Sequence, residues 1–250
     1  MGQHGVLPPQ KEHIMRRFKI NDVPAPECEV SLPPEESRHL IQVLRKTVGE
    51  TIIVFDGKGI SAEALFIRVE PPQLAIVQII RTLKADKPQY QAHMCMALAK
   101  QKAMDLAIRM AVEAGVTSLH LFLSERSIPK ECKIERWQRI VDAAGKQCGR
   151  NTVPGIHWWP SLAALCAHIG PTVTHRLIAV PGAKTIAAPP GDLALIIGPE
   201  GGFATHELHT ARIHDFKPVG LGRWTLRSDT AAAIGAAFVA THSWPTSELG

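Results

Sequence analysis

Two continuous apolar runs late in the chain, Leu193–Ile197 and Pro218–Leu221, each lead straight into a glycine-bearing loop. The first loop reads Gly198-Pro199-Glu200-Gly201-Gly202, and the second Leu221-Gly222-Arg223-Trp224-Thr225-Leu226-Arg227. Apolar runs that do not alternate with polar residues predict strands buried on both faces, as in parallel sheets. The loops then fall at carboxyl ends of strands, where open α/β sheets bind ligands. Glycine there lets the backbone approach a ligand closely. The spacing fits neither a Walker A loop nor the G-x-G-x-x-G dinucleotide fingerprint. For either loop alone, a tight strand-to-helix turn is the plainer alternative. Two such loops in one short unit point to a site for a nucleotide-like ligand.

The stretch before these loops alternates strand and helix. Strands are predicted at Gln91–Ala99, Thr117–Leu123, Ile156–Trp159 and Arg176–Val180. A helix over Lys102–Ala114 puts Met104, Ala107, Ile108, Ala111 and Val112 on one face and stops at Gly115. A second, Lys133–Cys148, turns Ile134, Trp137, Val141, Ala144 and Cys148 inward, and a third covers Ser161–Ile169. This is the pattern of an α/β domain with a parallel sheet covered on both faces. Residues 15–85 read differently. Short strands at Glu50–Phe55, Ala62–Val69 and Leu74–Ile80, the turn signal Asp56-Gly57-Lys58-Gly59, and one helix from Pro33-Pro34-Glu35-Glu36 with Leu40, Val43 and Leu44 inward predict a compact β-barrel. Leu83–Tyr90 reads as the linker, residues 86–250 as the α/β domain, and residues 1–14 as an N-terminal extension.

No apolar run reaches the about 18 residues of a membrane helix, and Met1-Gly2-Gln3-His4 lacks a secretion signal's layout. The five cysteines are odd in number and lack a C-x-x-C pair, which reads as reduced thiols in a cytoplasmic protein. The twelve histidines show no H-x-x-x-H pair with a carboxylate companion, so no metal is expected. A net charge of +5 suits an anionic partner, though placement matters more than the sum. Arg38, Arg45 and Lys46 fall on the helix of the barrel, where they serve either as phosphate contacts or as a solvated basic face.

Ile196–Phe203, and Leu221-Gly222 with Leu226-Arg227-Ser228-Asp229-Thr230-Ala231, resemble the two signature loops of the SPOUT methyltransferases, in particular the RsmE family. That family methylates N3 of a uridine in small-subunit ribosomal RNA. The similarity runs from Met15 to Trp244. It implies a C-terminal trefoil-knot domain, S-adenosylmethionine bound in the knot, a homodimer, a PUA-like RNA-binding barrel, and uridine 1498 of 16S rRNA in the small ribosomal subunit as target. Arg38-His39-Leu40, with Val43-Leu44-Arg45, is similar to the family's H-L-x-x-V-L-R stretch. Ser124-Glu125-Arg126-Ser127 is similar to its S-E-R-S tetrad, and Gln147-Cys148-Gly149-Arg150 to its E-Q-S/C-G-R motif. RNA contacts are therefore expected at Arg38, Arg45, Lys46, Arg126, Arg150 and Arg223. Backbone contacts to the cofactor are expected at Ile197, Gly198, Leu221, Gly222 and Leu226. Glu200, Gly201 and Gly202 join them, with Pro181-Gly182 as a third loop.

Arg227 and Asp229 are the expected catalytic pair. Methylation at N3 requires loss of the ring proton, which a carboxylate accepts, while an arginine stabilises charge developing on the uracil oxygens. Asp229 is equally an N-cap or first-turn acid for the alanine-rich helix Ala231–Ala240. Glu200 reads either as a base or as a buried carboxylate accepting loop N–H groups. The family motif is roughly L-G-x-R-I-L-R-x-E-T-A. Here Trp224 stands at the first arginine and Asp229 at the glutamate, and Lys146 replaces a glutamate of the E-Q-S/C-G-R motif. Two competing readings are a SPOUT-like RNA-binding protein without transfer activity and a SPOUT enzyme acting on tRNA.

Overall fold

The computed structural model describes residues 16–83, 85, 87–128 and 131–244. The expected N-terminal extension lies outside the described residues, as do Lys84 and Asp86 of the linker. The chain divides into two compact units. Residues to Phe55 and Ser61–Leu83 belong to the first, and the turn Asp56–Ile60 groups with the second.

The first unit contains β1 (Arg17–Lys19), β2 (Glu29–Ser31), α1 (Pro34–Arg38), a π-helical turn (His39–Val43), β3 (Thr51–Phe55), β4 (Ser61–Glu70) and β5 (Leu74–Thr82). Its sheet runs β1-β3-β4-β5-β2. Pro34 starts α1 where a missing N–H costs nothing, and Glu35 and Glu36 complement the helix dipole. Ser37 Oγ donates to the Leu32 carbonyl and accepts from the Ala75 N–H, both at 3.0 Å, tying α1 to β5. Phe18, Leu40, Val54 and Phe66 fill the core. The expected helix does not carry Arg45 and Lys46. Helical geometry ends at Leu44, Arg45 adopts a left-handed φ of 52°, and the Lys46 N–H returns to the Leu40 carbonyl at 3.1 Å. Lys46 Nζ pairs with Glu50.

The second unit contains β6 (Ala92–Ala97), α2 (Gln101–Glu113), β7 (Ser118–Phe122), α3 (Ile134–Cys148), β8 (Gly155–Trp159), α4 (Leu162–Ile169), β9 (His175–Ala179), β10 (Leu193–Ile197), α5 (Thr205–Ile213), β11 (Lys217–Val219) and α6 (Ser228–Ala240). Its six strands are all parallel, in the order β11-β9-β10-β6-β7-β8. β10 shows why its run is apolar throughout. Leu193, Leu195 and Ile197 face one core with α2, α3 and α6, while Ala194 and Ile196 face the other with α4 and α5. Ser161 caps α4 by accepting from the Ala164 N–H, and Gly115 ends α2 with φ 99°.

Two expectations for α3 are corrected. Trp137, Val141 and Ala144 are buried, but Ile134 is 39% exposed and Cys148 is exposed. Ile134 and Cys148 are the first and last residues of the helix. β11 also stops at Val219, short of the expected Leu221, because the Gly220 N–H turns to the Lys184 carbonyl at 3.0 Å.

His93, His120 and His157 lie on neighbouring strands β6, β7 and β8. Trp159 Nε1 donates to His120 Nδ1 at 3.2 Å, so the proton of the neutral ring sits on Nε2, facing Ser118 Oγ at 2.9 Å and His93 Nδ1 at 3.1 Å. Burial holds His120 down to about 3 and lowers His93 and His157 too. A histidine titrating near 6.5 when unfolded takes up a proton on unfolding between those values. The neutral ring's stabilisation is complete above about pH 6.5 and is lost as pH falls toward 3. Denaturant unfolding at pH 5 should give a stability about 2 kcal/mol below that at pH 7.5, and equal stabilities would contradict this. Among the described residues no cluster of His, Cys, Asp and Glu is arranged to hold a metal ion, and no helix is long and apolar enough to cross a membrane.

Candidate active site

A cavity of about 950 Å³ opens at the carboxyl ends of β6, β9, β10 and β11. β6 and β10 are adjacent, so it sits where the strand order reverses, the usual ligand position in an open α/β sheet. The structure brings Pro181, Ile197, Gly198, Glu200, Gly201, Gly202, Leu221, Gly222, Leu226, Arg227 and Asp229 to its wall. Gly182 is not among the lining residues. Its left-handed φ of 80° turns the chain after Pro181.

Three contacts fix these loops. A Cβ on Gly198 would lie 2.8 Å from the Phe203 ring. One on Gly220 would lie 2.2 Å from the Ala183 carbonyl oxygen, so the end of β11 touches the loop after β9 backbone to backbone. The Gly202 N–H closes a turn onto the Pro199 carbonyl at 2.9 Å. That turn puts Glu200 at its exposed tip, 4.0 Å from Lys100 Nζ, which corrects the expectation of a buried carboxylate there. A buried carboxylate beside this loop is Glu207, 5% exposed. It accepts from the Ala204 N–H at 2.9 Å, Ser124 Oγ at 3.0 Å and the Glu125 N–H at 3.2 Å. Glu207 thereby pins the Ser124–Ser127 loop to the start of α5. Half of this was readable, since a glutamate three residues after a helix start commonly reaches back to the N-cap N–H. Lys100, Lys102 and Leu106, after β6 and in α2, also line the cavity and were not anticipated.

Asp229 is the second residue of α6 and its first-turn acid. The N-cap is Arg227, so Asp229 is not the cap. Asp229 Oδ1 accepts from the Thr230 N–H at 2.9 Å and lies 3.6 Å from Arg227 Nε. The aspartate side chain is 20% exposed and the arginine 83%. The cationic residues divide into two groups. Arg126 is exposed and donates from Nη1 to the Gly201 carbonyl at 3.0 Å. The Arg223 guanidinium lies 5.1 Å from the centre of the Trp224 ring. Arg38 and Arg45 are exposed. Arg150 points inward instead, donating to the Val112 and Val116 carbonyls at 2.7 and 2.9 Å and stacking over Trp244 at 4.9 Å. It satisfies carbonyls at the end of α2, and burial lowers it to about 10. The expected RNA contact at Arg150 is corrected to a structural one.

A parallel sheet with helices on both faces and glycine loops around one cavity at its strand ends define an α/β ligand-binding domain. Residues 85–240 match the family model for the RNA methyltransferase domain, and residues 32–79 that for the RNA methyltransferase PUA domain. The crystal structure of a ribosomal RNA small subunit methyltransferase E from Neisseria gonorrhoeae bound to S-adenosyl methionine is 31% identical. It superposes with a TM-score of 0.83 over 91% of this chain and 97% of that one. A Legionella pneumophila structure with the bound cofactor SAM is 28% identical, with a TM-score of 0.84 and the same coverage. The ribosomal RNA small subunit methyltransferase E of Synechocystis is 28% identical over 84% of this chain and 72% of its own. The chain belongs to the RNA methyltransferase family, among the small subunit methyltransferases E.

Proposed function

We propose that this chain transfers methyl groups from S-adenosylmethionine to N3 of a uridine in 16S rRNA. In this reading it is a cytoplasmic homodimer whose cofactor site lies in a C-terminal trefoil knot, with the domain boundary near residue 85. The observation that carries the proposal is the cavity at the strand ends, which joins both glycine loops to Arg227 and Asp229.

The residues present fit that cofactor. About 950 Å³ lies at the upper end for small-ligand pockets. Ile197, Leu221, Leu226 and Leu106 offer apolar wall for an adenine. Nothing stands within 4 Å of the Cβ positions of Gly202 and Gly222, so a ligand can approach the backbone there. The cofactor supplies an electrophilic methyl group on a sulfonium. The chain supplies position and charge. Backbone groups at Ile197, Gly198, Leu221 and Leu226 hold the adenine edge. Asp229 Oδ accepts the N3 proton, and the Arg227 guanidinium faces the negative charge that then develops on the uracil oxygens.

Arg38, Arg45, Arg126 and Arg223 supply phosphate contacts. Of the other two residues expected there, Arg150 is turned inward onto the Val112 and Val116 carbonyls, and Lys46 pairs with Glu50. Replacing Arg38 and Arg45 with alanine should weaken RNA binding and flatten its salt dependence. The dimer proposal rests on the family and on α6, a helix of small residues with Ile234 40% exposed. Titration calorimetry with S-adenosylmethionine, with light scattering on the same sample, tests the reading. One cofactor per chain in a particle of twice 27.3 kDa supports it, and no heat of binding refutes it.

A further inference from the structure

The loop that carries Arg227 holds one residue that the proposed chemistry leaves unused. Trp224 lines the cavity, yet it is 74% exposed. Other apolar side chains are nearly as exposed, but Trp224 is exposed inside the cavity wall, where a ligand that covered the ring would recover its burial gain. Its surroundings are cationic. The Arg223 guanidinium lies 5.1 Å from its ring centre, and Arg227, three residues on, is 83% exposed. An open aromatic face, flanking guanidinium groups and a carboxylate inside the cavity match what recognises an unstacked base of single-stranded RNA.

We infer that the indole of Trp224 is the platform on which the target pyrimidine, or the base beside it, stacks when the RNA enters the cavity. The inference rests on the proposed methyl transfer to RNA and adds the residue that holds the base. A second copy of this chain is a poorer occupant, because a two-fold contact centred here sets Arg223 and Arg227 against their own copies.

The test uses the full chain, unmodified small ribosomal subunits as substrate and a short oligouridylate as a binding probe. Trp224→Ala should raise KM for the subunit about tenfold or more, the loss expected for one base stacked on an aromatic ring. Cofactor affinity and particle mass should stay as in the wild type. Trp224→Phe should recover most of the loss, because a smaller ring still stacks. Oligouridylate should quench wild-type tryptophan fluorescence, and Trp224→Phe should abolish that quenching although four other tryptophans remain of the five. An unchanged KM in Trp224→Ala overturns the inference, as does a halved particle mass, which would assign the indole to a second copy. If the wild type transfers no methyl to RNA, the proposed function falls on its own. Quenching then decides the inference, and absent quenching overturns it.

Discussion

Gly220→Ala should abolish cofactor binding and lower the melting temperature by about 10 °C. The new Cβ would sit 2.2 Å from the Ala183 carbonyl oxygen and 3.1 Å from its carbonyl carbon. Both are backbone atoms, so no side chain can swing away. Either β11 or the loop after β9 must move, and the hydrogen bond from the Gly220 N–H to the Lys184 carbonyl holds them together. Overpacking a well-filled site costs typically 1–3 kcal/mol, and a backbone clash belongs at about 3 or above. At about 2–4 °C per kcal/mol for a chain of this size, that gives the stated shift. Cofactor binding suffers further because β9 and β11 feed two of the loops around the cavity. Gly149→Ala is the control. Its φ is 82°, its Cβ position is open and it lies outside the cavity, so it should cost only about 1 kcal/mol of backbone strain and leave cofactor binding unchanged. Calorimetric melting and cofactor titration check both, and a Gly220→Ala protein that melts and binds like wild type would contradict the packing described.

The second large effect is on turnover. Arg227→Ala and Asp229→Asn should each lower it by about 10²-fold or more, the scale of a lost general base or charge-stabilising donor. Cofactor affinity should change far less, because backbone groups of other residues hold the adenine. The alternative for Asp229 is narrow. Because the N-cap is Arg227, aspartate at the second helical position supports α6 through the helix dipole, worth about 0.3–1 kcal/mol, and through the bond from the Thr230 N–H, which an asparagine oxygen also accepts. A purely structural Asp229 would therefore leave turnover nearly intact in Asp229→Asn. Asp229→Glu lengthens the acid by one methylene. A proton acceptor moved that far from the uracil should change the rate visibly, while a first-turn acid should not. Single-turnover methyl transfer at saturating cofactor separates the two, and equal rates for all three proteins would mean that the proton leaves to another group.

Local patterns carried most of the architecture. β10 starts and ends where its apolar run does, and all five predicted core residues of α2 are buried, because a run or a helical face is set by neighbours in the chain. What escaped the sequence depends on partners far along it. Glu200 and Glu207 look alike in sequence, yet one sits at the tip of a glycine turn and the other receives donors from Ser124 and Glu125, more than eighty residues away. Arg150 matches an RNA-contact motif but meets carbonyls of α2. Lys46 lost its place on a helix because a π-helical turn ended the helix early. The glycine loops were legible as a ligand edge only in outline: the contact between Gly220 and Ala183 follows from strand order, and no local pattern encodes strand order.

Nucleoside mass spectrometry of 16S rRNA tests methylation of its uridine at N3 most directly. RNA from cells lacking the gene should have lost N3-methyluridine. The wild-type gene should restore it, and the Asp229→Asn gene should restore little. An undiminished N3-methyluridine content without the gene would contradict the account.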